Sequence, residues 1–246
     1  MNDRRLPVVV VHGIGSGHNA DRAGFSRDLS NQVHEPARPV IRVGPSEQSA
    51  PNPLPENAIV WEEALWENAN DNPDTLTATI LKAAVKVVPP AWLAAKVLDI
   101  LGDVPFYLST HGPAIRKAVR DVIAQHPQCV VVGHSLGSVI AADILCAAQE
   151  ADDFASLPVS GFVTLGSPLN ILGLRSPMKA AFPFPWKNIF YPADPVCLGK
   201  RLPSARFPGV SNQALSAGET FGVAHTSYWQ STVLAGIVYR LSMKGS

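Results

Sequence analysis

The sequence predicts an α/β fold, in which helices flank a mostly parallel, twisted sheet. Two short runs of apolar, β-branched residues, at 8–11 and 129–133, have the composition of strands that are covered on both faces, as in parallel sheets. Helical stretches alternate with the strand candidates along the chain. This alternation is typical of βαβ units, in which a helix connects each strand to the next parallel one.

The same patterns predict the remaining elements. Further strands are predicted at 39–43, 58–61, 159–165, 187–191 and 205–210. Helices are predicted at 24–34, 113–125, 138–149 and 227–242. Four prolines between positions 45 and 55 indicate a surface loop.

A long apolar segment, 75–108, interrupts the alternation before the strand at 129–133. Its composition is helical, with a break at Pro89 and Pro90. The chain of 246 residues has a length at which an α/β sheet commonly forms one domain, so we predict a single domain over 1–246 with this segment as a helical insertion. We expect the insertion either to add helical cover to the core or to form a cap that contacts an apolar substrate.

The composition argues against several classes of function. Apolar residues make up 46% of the chain and charged residues 16%, which is typical of a globular protein rather than a disordered one. The 20 Lys and Arg residues balance the 20 Asp and Glu residues. The chain therefore offers no basic field for a phosphate backbone or an anionic membrane, and we expect no nucleic-acid partner.

The cysteines and the apolar stretches bear on metals and on location. Cys129, Cys146 and Cys197 form no pair or cluster at metal-ligand spacing, so we expect reduced thiols and no metal site. The first residues lack the apolar region of a signal peptide. The most apolar stretch, 83–102, contains two lysines, an aspartate and two prolines, which argues against a transmembrane helix. These features favour a cytoplasmic protein.

The segment Gly-His-Ser-Leu-Gly at 133–137 matches the G-x-S-x-G pattern. In this pattern a strand turns sharply into a helix around a strained serine, and the flanking glycines avoid a clash of side chains. A strand candidate precedes the segment and a helical stretch follows it, as the pattern requires. We therefore predict Ser135 as a nucleophile, supported in its turn by Gly133, His134 and Gly137.

The partners of the serine should lie at the same edge of the sheet. In open parallel sheets the ligand site lies beyond the carboxyl ends of the strands. Asp194 follows the strand predicted at 187–191, and His225 lies after the strand predicted at 205–210. We predict His225 as the general base and Asp194 as the acid that orients it, with Glu219 as the rival acid.

Other ionisable residues are predicted to lie too far from the serine. Asp143 lies on the order of 12 Å along the helix that follows Ser135, at about 1.5 Å per residue. Four others occur where helices lead into the next strand, which is the opposite edge of the sheet: His34, His126, Asp152 and Asp153.

Acyl transfer also needs hydrogen-bond donors where the carbonyl oxygen becomes negative. We predict two backbone N–H donors, Leu136 after the nucleophile and Ile14 in the loop after the first strand. Gly13 lets this loop approach the reacting carbon, and His12 supports the turn. A dinucleotide site is not indicated, because the loop lacks the full G-x-G-x-x-G spacing and no P-loop lysine follows.

Together these motifs resemble those of bacterial α/β-hydrolases of the lipase and carboxylesterase kind. The resemblance covers nearly the whole chain and is carried by His-Gly-Ile-Gly at 12–15, the segment at 133–143, Thr-Leu-Gly-Ser-Pro-Leu at 164–169, Asp-Pro-Val at 194–196, and His225 with Tyr228. It implies the α/β-hydrolase fold and ester hydrolysis through an acyl-enzyme, with no metal or organic cofactor.

The function expected from the sequence is serine-dependent hydrolysis of a small-molecule or lipid-like ester. Apolar residues in the 75–108 insertion favour an apolar acyl group. Acyl transfer and thioester cleavage stay open as alternatives, because the same three residues serve those reactions. A catalytically inactive interaction module with this fold is a further alternative.

Overall fold

A six-stranded parallel sheet organises the part of the chain that the structure describes. The structure is a computed structural model, and it describes residues 5–13, 59–64, 107–108, 110, 112–175, 177–216 and 224–243. The strands are β1 (Val8–Val11), β2 (Trp61–Glu63), β3 (Cys129–His134), β4 (Val159–Leu165), β5 (Trp186–Phe190) and β6 (Val210–Ala214). All neighbouring pairs are parallel, in the order β2-β1-β3-β4-β5-β6. The predicted α/β class is confirmed.

The strand order reverses direction at β1. The chain passes from β1 to β2 on one side, and β3 then lies on the other side of β1, with β4 to β6 following outward. Ligand sites of open parallel sheets occur at such a reversal, outside the carboxyl ends of the two strands that flank it. In this sheet those strands are β1 and β3, which end at Val11 and His134.

Helices flank the sheet on both faces. The α-helices are α1 (Gly112–Ala124), α2 (Leu136–Glu150), α3 (Leu169–Leu172) and α4 (Thr232–Ser242), and two 3-10 helices are η1 (Phe154–Ser156) and η2 (Ala224–Gln230). Helix α1 buries Ile115, Val119 and Ile123, which recur every four residues along one face. The N-terminus of α4 is capped by Ser231, whose Oγ accepts a hydrogen bond from the Leu234 N–H at 3.2 Å.

Successive valines of β1 and β3 point into two different cores. Val9 and Val131 pack with α1 and α2 on one face, whereas Val10 and Val132 pack with α4 on the other. Because both faces are covered, an unbroken apolar run is stable in each strand, and the sequence pattern is explained. Towards β5 the first face is covered by packed aromatic rings: Phe154, Phe162, Phe182, Phe184, Trp186 and Phe207.

The prediction of a strand at 205–210 is wrong, because β6 begins only at Val210. The preceding residues form turns, and Gly209 has a φ of 77° that a strand does not allow. β6 itself reads Val-Ser-Asn-Gln-Ala and is partly exposed at the sheet edge, so it lacks the apolar pattern of the inner strands. β6 is parallel to β5, so its carboxyl end lies at the edge where a site was predicted.

Other boundaries differ less from the predictions. The strand predicted at 58–61 is found at Trp61–Glu63, and the helix predicted at 227–242 is divided into η2 and α4. The predicted elements at 24–34, 39–43 and 45–55 lie outside the described residues, as does all of the 75–108 insertion except its last two positions. Within the described ranges, no helix is both long enough and apolar enough to traverse a bilayer.

Close approach of α2 to β1 gives a test of this packing. A Cβ on Gly137 would overlap the carbonyl oxygens of His12 and Val11, which are main-chain atoms that cannot move aside. We expect Gly137→Ala to lower the free energy of unfolding by about 3 kcal/mol or more, as for severe overpacking. Urea unfolding followed by circular dichroism measures the change.

Gly161→Ala in β4 is the matched control. A Cβ there would lie 3.3 Å from the flexible end of the Leu241 side chain, so we expect a change of less than about 1 kcal/mol. Equal stability of the two variants would contradict the placement of α2 against β1.

Candidate active site

Ser135 occupies a strained turn between β3 and α2. Its φ of 52° and ψ of −131° lie outside the regions that residues with a Cβ ordinarily adopt. Hydrogen bonds hold this conformation: the Ser135 N–H donates to the Leu165 carbonyl at 2.9 Å, and the Ser135 carbonyl accepts from the Ser138 N–H at 3.0 Å. The Ser138 hydroxyl donates to the same carbonyl at 2.5 Å. The turn therefore has a fixed shape.

The turn is closely packed against the loop after β1. A Cβ on Gly13 would overlap the Cβ of Ser135 and lie 3.0 Å from its Oγ, and a Cβ on Gly133 would lie 2.6 Å from the Ser138 Cα. These approaches require glycine, since the neighbouring atoms are fixed. Ser135 thus lies beside the end of β1, at the point where the strand order reverses.

Asp194 is a fully buried carboxylate in the loop after β5. Its Oδ1 accepts a hydrogen bond from the Val196 N–H at 2.8 Å, and its Oδ2 accepts one from the Tyr228 hydroxyl at 2.7 Å. The Nδ1 of His225 lies 2.9 Å from Oδ2 and 3.1 Å from Oδ1. Burial opposes ionisation, but the hydrogen bonds and charge of His225, with the Tyr228 and Val196 donors, bring the pKa of Asp194 below its usual value.

His225 lies in η2 and is 3% exposed. Because Asp194 is ionised, its oxygens only accept hydrogen bonds, and the Nδ1 of His225 must carry the proton. In a neutral ring Nε2 is then the basic atom. Nε2 and the Ser135 Oγ are both buried, and neither makes a hydrogen bond within the described part of the chain. Buried polar atoms of this kind call for a functional explanation.

The residues that follow β4 bring the serine and the Asp194–His225 pair together. The Leu165 carbonyl accepts a hydrogen bond from the Ser135 N–H. The next residue, Gly166, packs against Asp194 and His225. A Cβ on Gly166 would lie 2.6 Å from Asp194 Oδ2 and 3.0 Å from His225 Nδ1. Gly166 has a φ of 51°, so it meets a conformational and a steric requirement at the same time.

Several contacts around the site were not predicted from the sequence. Gly166 and Ser167 were not predicted as site residues, although Gly-Ser-Pro directly after a buried strand is a signal for a turn at the site edge. The Ser167 hydroxyl lies 2.6 Å from the Ser138 hydroxyl. The hydrogen bond from Tyr228 to Asp194 joins residues 34 positions apart, so no local sequence pattern predicts it.

The structure describes one of the two predicted oxyanion donors, Leu136. Leu136 is the first residue of α2, so its N–H has no acceptor within the helix. Such N–H groups are suited to binding a negative oxygen. His12 and Gly13 directly follow β1 and are buried, whereas Ile14 lies outside the described residues, as does the rival acid Glu219.

The ionisable residues excluded from the site interact elsewhere. His126 lies 2.6 Å from the Glu62 carboxylate, and Asp153 pairs with Arg120 at 2.8 Å. Asp143 accepts a hydrogen bond from the Tyr107 hydroxyl at 2.5 Å. His34 lies outside the described residues.

The cysteines do not contribute a second reactive group. All three are free thiols, as expected from the sequence, and all three are buried: Cys129, Cys146 and Cys197. Burial raises the pKa of the Cys129 and Cys146 thiols to about 12 and that of Cys197 further, so none is a thiolate at neutral pH. Nor does the described part of the chain contain a group of three or more His, Cys, Asp or Glu residues arranged to hold a metal ion.

No protein-family model matches this chain, and no curated protein is significantly similar to it. A function for this protein therefore rests on the geometry of the site.

The Tyr228 hydroxyl bond gives a prediction about stability. Tyr228→Phe keeps the ring but removes the donor to Asp194 and the acceptor of the Tyr191 N–H, which lies 3.0 Å from the hydroxyl. We expect a loss of about 1.5–3 kcal/mol in the free energy of unfolding at neutral pH, as for a hydrogen bond to a charged group. Urea unfolding measures this loss.

The pH dependence of the loss follows from the pKa of Asp194. Because that pKa is lowered, its stabilising effect is present above the unfolded value of about 4 and disappears as pH falls through the folded value. In Tyr228→Phe the pKa moves back up, so the variant should lose less stability between about pH 7 and pH 3 than the wild type does. An identical pH dependence in both proteins would contradict this role of the hydroxyl.

Proposed function

We propose that this protein is a serine hydrolase of the α/β-hydrolase type, which cleaves carboxylic esters of apolar acyl groups through an acyl-enzyme. The observation that carries the proposal is the buried pair of His225 and Asp194. This pair leaves the basic Nε2 of His225 unbonded, at the edge of the sheet where the equally unbonded hydroxyl of Ser135 lies.

The course of the chain around the site agrees with this assignment. Ser135 lies in a turn from strand to helix, and the chain order Ser135, Asp194, His225 is that of α/β-hydrolases rather than of the chymotrypsin or subtilisin types. The serine also lies at the reversal of strand order, where α/β proteins bind ligands.

The reaction begins with the attack of Ser135 Oγ on the acyl carbonyl carbon. His225 Nε2 takes the hydroxyl proton, and the Asp194 carboxylate stabilises the imidazolium that forms. The N–H of Leu136, with a second donor from the loop after β1 that we assign to Ile14, binds the oxygen that becomes negative. His225 then returns its proton to the leaving alcohol oxygen, which leaves Ser135 acylated.

Water completes the reaction. His225 Nε2 removes a proton from the water as its oxygen attacks the acyl carbon, and collapse of the second tetrahedral intermediate releases the acid and restores the Ser135 hydroxyl. A hydrogen bond between Ser135 and His225 is absent from the described contacts. Such bonds are often long before substrate binds and shorten in the reacting complex.

The preference for an apolar acyl group rests on the insertion at 75–108. Its sequence is apolar, and Tyr107, at its carboxyl end, is fully buried. The Tyr107 hydroxyl bonds to Asp143 on α2, the helix that begins directly after Ser135. The end of the insertion is thus anchored in the core beside α2, and the proposed preference for an apolar acyl group rests on the composition of the insertion.

Labelling with a fluorophosphonate probe tests the catalytic assignment. We expect the wild type to be labelled and Ser135→Ala to be unlabelled, because the probe reacts with an activated serine hydroxyl. Asp194→Asn should lower kcat for an ester by about 10⁴-fold, through the wrong imidazole tautomer. Ser211→Ala on the edge strand β6 is the control and should be labelled like the wild type. An unlabelled wild type would favour an inactive interaction module.

Chain-length dependence tests the substrate class. With p-nitrophenyl esters from acetate to dodecanoate, we expect kcat/KM to rise, since each buried methylene adds about 0.8 kcal/mol to binding. A flat or falling profile beyond acetate would argue against an acyl-binding cap. Product analysis with added alcohol or thiol shows whether water is the acceptor.

A further inference from the structure

We propose that His134 is a positioning residue that fixes the base His225 relative to the nucleophile Ser135. The inference rests on the proposed function. In this role His134 holds the backbone of His225, which is 91 positions away in the sequence, rather than only supporting its own turn.

The contact between the two histidines is direct. The Nε2 of His134 lies 2.8 Å from the backbone carbonyl oxygen of His225, and both residues are buried. The two rings also pack, with centroids 4.7 Å apart and planes inclined by 31°. On another side the His134 ring meets the Trp229 ring edge to face, at 5.1 Å. His134 is thus held between the base and a second residue of η2.

The chemistry of the contact fixes the state of His134. A carbonyl oxygen only accepts hydrogen bonds, so the Nε2 of His134 must carry the proton. Burial, reinforced by the neighbouring His225, lowers the pKa of His134 to about 3, so the ring is neutral at physiological pH. His134 therefore acts as a fixed neutral donor and does not compete with His225 for the proton of Ser135.

The position of His134 in the chain explains why this bond matters. His134 is the last residue of β3 and directly precedes Ser135, so its backbone moves with the nucleophile. Asp194 holds the His225 ring at Nδ1, and His134 holds the His225 backbone at its carbonyl. Two attachments fix both the location and the direction of Nε2, whereas the bond to Asp194 alone would allow the ring to swing about it. A misplacement of about 1 Å can cost about 10²-fold in rate.

Substitutions at His134 distinguish the effect of its N–H donor from the effect of its ring. His134→Phe keeps a planar ring and removes the donor, and His134→Gln places an amide N–H near the position of Nε2. We expect Phe to lower kcat for p-nitrophenyl acetate by about 10- to 100-fold with KM changed less than about twofold, and Gln to restore kcat to within about fivefold of wild type. Thermal unfolding shows whether each variant is folded.

A second background tests whether His134 acts through His225. In His225→Ala the base is absent, so adding His134→Phe should not slow the residual hydrolysis of p-nitrophenyl acetate any further. A residue that merely supports the fold would slow hydrolysis in both backgrounds. An equal slowing, or a kcat of His134→Phe equal to wild type, would overturn the proposal.

Two further comparisons keep the test decisive. If His134→Phe does not fold, His134→Asn replaces it, because its shorter amide cannot reach the His225 carbonyl; Asn should then behave as lacking the donor and Gln as retaining it. A wild type that neither hydrolyses esters nor is labelled would refute the proposed function, and this inference with it. If the wild type is active and the variants without the His134 donor are equally active, this inference alone is refuted.

Discussion

The buried carboxylate of Asp194 constrains the rest of the site. An ionised carboxylate without solvent is very unfavourable unless it is paired and hydrogen-bonded, so its surroundings must supply donors in fixed positions. Two segments supply three donors: the following turn provides the Val196 N–H, and η2 provides both Tyr228 and His225. The geometry of the proposed base is therefore a consequence of satisfying one buried charge. Removing any donor affects the others, because they share the same two oxygens.

Close packing transmits this constraint to the nucleophile. Gly166 lies against the Asp194 carboxylate, and the preceding carbonyl, that of Leu165, binds the Ser135 N–H. Ser135 in turn packs closely against Gly13, which lies in the loop after the neighbouring strand β1. Strain at Ser135 is thus offset by hydrogen bonds on one side and by close contact on the other. The carboxyl edge of the sheet, with the turns that follow its strands, positions the groups of the proposed reaction.

Local patterns in the sequence predicted most of the sheet and pointed to Asp194 and His225, which are in contact in the structure. The segment at 133–137 is recognisable because a sharp turn from strand to helix demands glycine at fixed spacing. Asp194 and His225 could be selected because only residues after a strand reach the ligand edge. β6 was misplaced, since a polar edge strand has no apolar run and its beginning is marked only by Pro208 and Gly209. The contact from His134 to His225 depends on tertiary packing, which no local pattern encodes.

A second buried pair shows what is specific to the site. Tyr107 donates to Asp143 as Tyr228 does to Asp194, and each aspartate also accepts one backbone N–H. Yet burial raises the pKa of Asp143, even with Tyr107 and Arg175 beside it, whereas the pKa of Asp194 is lowered. The Arg175 Nε lies 3.9 Å from Asp143, but the His225 Nδ1 lies only 2.9 Å from Asp194. A tyrosine and an amide therefore do not by themselves lower the pKa of a buried carboxylate here, and the close imidazole makes the difference.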